Sequence, residues 1–120
     1  HEESNYPAVK PPSDLDIGLD TGARGPEYLA ALEVHVPAIL DRHQPDLVAY
    51  IAGADPFEQD QLGGLKLTRE DLRKRDRVVF EGCATREIPA AAFLAGGYAL
   101  RTEDTVGIHA DMVEGAFARA

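Results

Sequence analysis

A chain of 120 residues has room for one small domain with one modest core. Its 44% hydrophobic content excludes a disordered tail, and no apolar run approaches the length of a membrane-crossing helix. A net charge of −9, from 12 Lys and Arg against 21 Asp and Glu, argues against direct binding of a nucleic-acid backbone. It favours cationic partners such as basic peptides or polyamines, and fits a soluble acidic cytoplasmic protein equally well. Cys83 is the single cysteine, so neither an internal disulfide nor a cysteine-rich zinc site is available. A reducing compartment is expected, with Cys83 as core filler.

The opening, "HEESNYPAVKPPSDLD", has no initiator Met and no signal region, and reads like the interior of a longer protein. Residues 1–13 are polar and proline-rich, hence loop. "DLDIGL", Asp14 to Leu19, alternates polar and apolar residues and predicts a short strand. From Glu27 to His43, apolar residues at Tyr28, Leu29, Leu32, Val36, Ile39 and Leu40 mark one face of a helix. Pro37 lies inside that pattern and is expected to kink the helix or split it in two.

"DLVAYIAG", Asp46 to Gly53, reads as a buried strand. A turn-rich loop with Asp55, Glu58, Asp60 and a Gly-Gly pair follows. "TREDL" then offers Thr68 as a helix N-cap with Asp71 three residues on, and Leu72, Val79, Phe80 and Cys83 as the buried face. "IPAAAFLAGG", Ile88 to Gly97, predicts a second buried strand. Val106, Ala110, Val113 and Phe117 mark a last amphipathic helix. The alternation of strands and helices predicts an α/β fold with a parallel sheet.

In such sheets ligands bind beyond the carboxyl ends of the strands. Here those ends read "GAD" and "AGGY", which puts Asp55 and Tyr98 on one edge. Each has an ordinary alternative: a turn or capping role for Asp55, and a half-buried ring beside the sheet for Tyr98. Taken together they suggest a metal ligand and a phenol facing one cavity, suited to metal-assisted attack on a carbonyl. His35, His43 and His109 fall on predicted helices as surface or boundary residues, and His1 is terminal. Only one clear metal ligand emerges from the residues themselves, where a hydrolytic site needs about three.

The run "LVAYIAGADPFEQDQLGGLKLTREDLRKRDRVVF", followed by "AAAFLAGGYALRT", resembles the zinc-dependent histone deacetylase family. It is most similar to the class IV branch and its bacterial relatives. "HEESNYP" and "SDLDIGL...EYLAAL" resemble the family segment just before. The resemblance implies a three-layer αβα fold of the arginase/deacetylase type with a parallel sheet, of which residues 1–120 would be the C-terminal part of a single domain, hence incomplete.

It also implies hydrolysis of acetyl-lysine or a related acetylamide such as an acetylpolyamine, with zinc as cofactor; the charge and the lack of a long apolar run lead to an expectation of neither direct nucleic-acid nor membrane contact. By the same resemblance Asp55 matches a zinc ligand, and Tyr98 the residue that stabilises the oxyanion. Tyr6, Leu62, Gly96 and Gly97 match the walls of a narrow acyl-lysine tunnel. The family's adjacent histidine pair and its Asp-x-His ligands are absent from this chain, and Gly25 stands where the family often carries an acid. The chain alone is therefore expected to be inactive. A non-catalytic deacetylase-like binding module is the alternative, and an unrelated α/β domain the third reading.

Overall fold

The computed structural model describes residues 1–118. The elements are α1 (Gly25–His43), β1 (Val48–Gly53), α2 (Arg69–Ala84), β2 (Ala90–Ala95) and α3 (Thr102–Phe117). β1 and β2 pair in parallel, from Val48 opposite Ala90 to Gly53 opposite Ala95, with α2 in the crossover. Among the described residues no helix is long and apolar enough to cross a membrane.

Local chemistry explains the helix ends. At the start of α1, Pro26 lies in the first turn and the Glu27 carboxylate accepts from the Arg24 N–H at 3.4 Å. Gln44 closes α1 in the left-handed conformation, φ 44°, just before Pro45. α2 begins with the expected reciprocal cap: Asp71 N donates to Thr68 Oγ1 at 3.1 Å, and Thr68 N to Asp71 Oδ2 at 2.9 Å. Pro37 does not divide α1, which runs through it for 19 residues. The flanking Val36 and Leu40 pack against Val79 and Cys83, and that burial offsets the missing N–H.

The helices lie on one face of the sheet. Val48 and Tyr50 pack with Leu40, Val79 and Cys83, and Ala52 packs with Phe80 and Met112. Tyr50 meets Phe80 edge-on, with ring centroids 5.7 Å apart. The alternate positions face away from the helices, and there Ile51 is 64% and Phe93 48% exposed. The described residues thus form two layers; the three layers implied by the resemblance belong to a complete domain, of which this chain was expected to be a part.

Three further expectations are corrected. Asp14 to Leu19 is not a strand: only Leu19 forms a bridge, to Glu2, because no neighbouring strand is there to pair with the rest. Both strands are shorter than expected: β1 starts at Val48, and β2 is bounded by Pro89 before it and Gly96-Gly97 after it. On α3 the buried residues are Ile108 and Met112, whereas Val106 and Phe117 are 60% and 76% exposed. α3 is apolar on two sides, and an ion pair selects between them. Asp111, beside Met112, accepts from Arg69 Nε at 2.5 Å and Arg73 Nη2 at 2.9 Å, both on α2.

Hydrogen bonds from Arg69 and Arg73 hold the Asp111 carboxyl at about 2, below its ordinary 3.8. A lowered folded-state value means stabilisation that is present above pH 3.8 and is lost as pH falls towards 2. Asp111→Asn is expected to cost on the order of 1 kcal/mol at neutral pH, screened because both arginines are half exposed, and almost nothing in strong acid. Denaturant melts of both proteins at the two pH values check this. An equal cost at both would assign the effect to packing.

Candidate active-site edge

The carboxyl ends of the strands are built around glycines. Ala54 N donates to Gly96 O at 2.9 Å, carrying the β1–β2 pairing one step past the strands. Asp55 and Tyr98 therefore emerge on the same edge, as expected. The Asp55 carboxylate lies against Gly53 and Gly96. A Cβ on Gly53 would collide with Asp55 Oδ1, and one on Gly96 would come within 2.8 Å of it. Gly97 has φ +140°, and a Cβ there would press on Ala54 and Thr105. Asp55 is exposed and its carboxylate accepts no hydrogen bond among the described residues, so its oxygens are open to an external partner.

The loop after Asp55 is a packed structure with its own anchors. Phe57, Leu65 and Leu67 are buried with Ala54, Leu72 and Ile108. Leu67 N donates to Pro56 O at 3.0 Å, and Glu58 N to Leu67 O at 2.8 Å. The Gly-Gly pair serves two different contacts: a Cβ on Gly63 would strike the Asp55 carbonyl, and one on Gly64 the Glu2 carboxylate. Glu2 in turn accepts from Thr21 Oγ1 at 2.5 Å and Ser4 Oγ at 2.8 Å, bonds that hold its carboxyl below the usual range. The N-terminal segment, with Tyr6, is docked on this loop through Glu2.

Asp60 joins the two halves of the edge. It is buried, and its Oδ1 accepts from Leu62 N at 2.8 Å and Gly63 N at 2.7 Å. Its Oδ2 accepts from Tyr98 N at 2.6 Å, across 38 positions of sequence. Backbone bonds run alongside, from Gln61 N to Tyr98 O at 3.1 Å and from Leu100 N to Gln59 O at 3.1 Å.

Beneath the edge sits a buried charged cluster. Arg75 and Asp76 are 3% and 2% exposed. Arg75 Nη1 donates to Gly53 O at 2.5 Å and Nε to Asp76 Oδ1 at 2.9 Å. The Tyr50 hydroxyl donates to the same Asp76 oxygen at 2.5 Å, and the Arg75 guanidinium lies 5.8 Å from the Tyr50 ring centroid. Burial pushes the Tyr28 and Tyr50 phenols above the ordinary range, so both stay protonated. A buried cation thus fixes the strand-end carbonyl two residues before Asp55.

The structure places Asp55, Leu62, Gly96, Gly97 and Tyr98 together on one edge. Leu62 and Tyr98 are 75% and 63% exposed, and Tyr6 93%. These residues make an open wall and do not close a tunnel among themselves. No group of three His, Cys, Asp or Glu side chains gathers as a ligand set among the described residues. Asp55 is a fitting single oxygen ligand, but zinc takes about three protein ligands, so these residues do not fit a zinc ion by themselves.

Sequence reasoning gave no site role to Asp60, Arg75 or Asp76. An Asp before L-G-G is a legible turn signal, since its carboxylate readily accepts the N–H two residues on. Its bond to Tyr98 has no local signal. Nor does the burial of "RD" within the highly charged stretch "REDLRKRDR".

The arrangement is that of an α/β domain whose exposed acid and phenol collect at the carboxyl ends of parallel strands. The histone deacetylase domain model matches residues 4–112, and the chain belongs to that family. It is 40% identical over 109 residues to an uncharacterized protein of Picosynechococcus sp., covering 91% of this chain and 36% of that protein. It is 31% identical over 101 residues to histone deacetylase 2 of Arabidopsis thaliana, covering 84% of this chain and 25% of that protein. The chain thus spans about a third or less of the length of these relatives.

Proposed function

We propose that residues 1–120 form the C-terminal part of a zinc-dependent deacetylase domain of three-layer αβα type. In this reading a longer chain supplies the remaining zinc ligands and covers the bare face at Ile51 and Phe93. The observation that carries it is the unengaged Asp55 carboxylate, seated against Gly53 and Gly96 with Tyr98 on the same edge.

Asp55 would contribute one ligand to a zinc ion completed by the longer chain, and that ion would supply carbonyl polarisation and an activated water. Leu62 and Tyr6 line the methylene stem of an acetylated lysine or polyamine, and the glycines let the backbone approach it closely. The Tyr98 hydroxyl donates to the oxyanion that develops on the acetyl carbonyl.

The test is hydrolysis of an acetyl-lysine peptide and of an acetylpolyamine by the full-length protein, with and without a chelator, beside the 120-residue chain. Activity is expected from the full-length protein alone, abolished by chelation. Chelator-sensitive turnover by the short chain, lost in Asp55→Ala, overturns the assignment of ligands beyond it. A full-length protein that binds acetylated peptide without turnover supports the binding-module alternative instead.

A further inference from the structure

We infer that Asp60 is the positioning residue of this edge, holding Tyr98 and Leu62 in fixed relation to Asp55 through backbone N–H groups. The inference rests on the deacetylase reading above and goes beyond it, because it assigns a role to a side chain that touches neither substrate nor metal. Tyr98 is 63% exposed, so packing within this chain does little to fix its ring. Its position depends on where its backbone is held. Gly97, immediately before it, has φ +140° and the conformational freedom of glycine, so the chain entering Tyr98 needs an external restraint. Asp60 Oδ2 restrains the Tyr98 N–H at 2.6 Å, beside the Gln61 N–H and side-chain amide that donate to the Tyr98 carbonyl at 3.1 and 3.0 Å, while Oδ1 holds Leu62 and Gly63 at 2.8 and 2.7 Å.

The chemistry requires a carboxylate of this length. Three N–H donors converge on one side chain, and both its oxygens accept. Charge-assisted bonds of this kind are stronger than neutral ones. Asparagine has one acceptor oxygen, and its NH2 group would face a donor. A phenol that must meet a developing oxyanion tolerates little displacement, since about 1 Å of misplacement can cost roughly 10²-fold in rate.

The experiment uses the full-length protein with Asp60→Asn, Asp60→Ser, Tyr98→Phe and the Asp60→Asn/Tyr98→Phe double variant. Serine can still accept from Leu62 N in a local turn but is too short to hold Tyr98 N as well. It therefore separates the turn from the clamp, and guards against a misfolded Asn variant. Asp60→Asn and Asp60→Ser are each expected to lower kcat by about 10- to 100-fold, with smaller changes in KM and unchanged zinc content.

In the Tyr98→Phe background, Asp60→Asn is expected to change kcat little further, because its effect runs through the missing hydroxyl. Hydrogen exchange is expected to show the Tyr98 amide losing protection in both Asp60 variants, while the amides of α2 keep theirs. Wild-type kcat in Asp60→Ser, or an undiminished loss in the Tyr98→Phe background, overturns the inference. If the full-length protein has no deacetylase activity, the parent reading fails, and the exchange data alone decide whether Asp60 holds Tyr98.

Discussion

Tyr98→Phe in the full-length protein is expected to lower kcat on an acetyl-lysine peptide by on the order of 10²-fold or more, with KM and zinc content nearly unchanged. The substitution removes one oxygen and leaves the ring. The ring is mostly exposed, so its packing is little altered. The bond from Tyr98 N to Asp60 is a backbone bond and survives. In the proposed function, what disappears is a donor whose partner would gain charge as the water adds, so the loss would fall on the transition state. Steady-state kinetics together with metal analysis check this. An unchanged kcat would remove Tyr98 from the chemistry, and a rise in KM alone would make it a substrate-binding residue only.

Asp76→Ala is expected to destabilise the fold by about 3–5 kcal/mol. That is a large part of the stability of an ordinary domain. The cost arises because the change removes one member of a buried pair. Arg75, 3% exposed, would keep its charge with no carboxylate beside it, held by neutral groups such as the Gly53 carbonyl and the Tyr28 hydroxyl. The Tyr50 hydroxyl would lose its acceptor as well. Replacing the pair together, Arg75→Met with Asp76→Leu, is expected to cost less than Asp76→Ala alone, since no charge is then stranded. Urea denaturation of the three proteins measures the order. A cost for Asp76→Ala under about 1 kcal/mol would mean that water reaches the pair.

The sequence by itself determined the elements and the edge. Hydrophobic period, the Thr68 cap and the glycines after each strand are local signals, and α1, β1, α2, β2 and α3 lie close to where they were expected. Parallel pairing then required that Asp55 and Tyr98 share one side of the sheet. Their roles came from the family resemblance, because nothing local distinguishes a ligand from a turn aspartate.

The tertiary structure decided what depends on partners distant in sequence. Asp14 to Leu19 has a strand-like alternation and no strand to join. α3 carries two apolar sides, and the Arg69–Asp111 and Arg73–Asp111 pairs chose the one that is buried. Arg75 and Asp76 read as part of a solvated charge run until the Gly53 carbonyl and the Tyr50 hydroxyl are placed beside them. Asp60 reads as a turn residue until Tyr98 N arrives at 2.6 Å. In each case the physical reason is the same. Periodicity and capping act within a few residues of chain, whereas charge pairing and hydrogen bonding between segments exist only after the chain has brought them together.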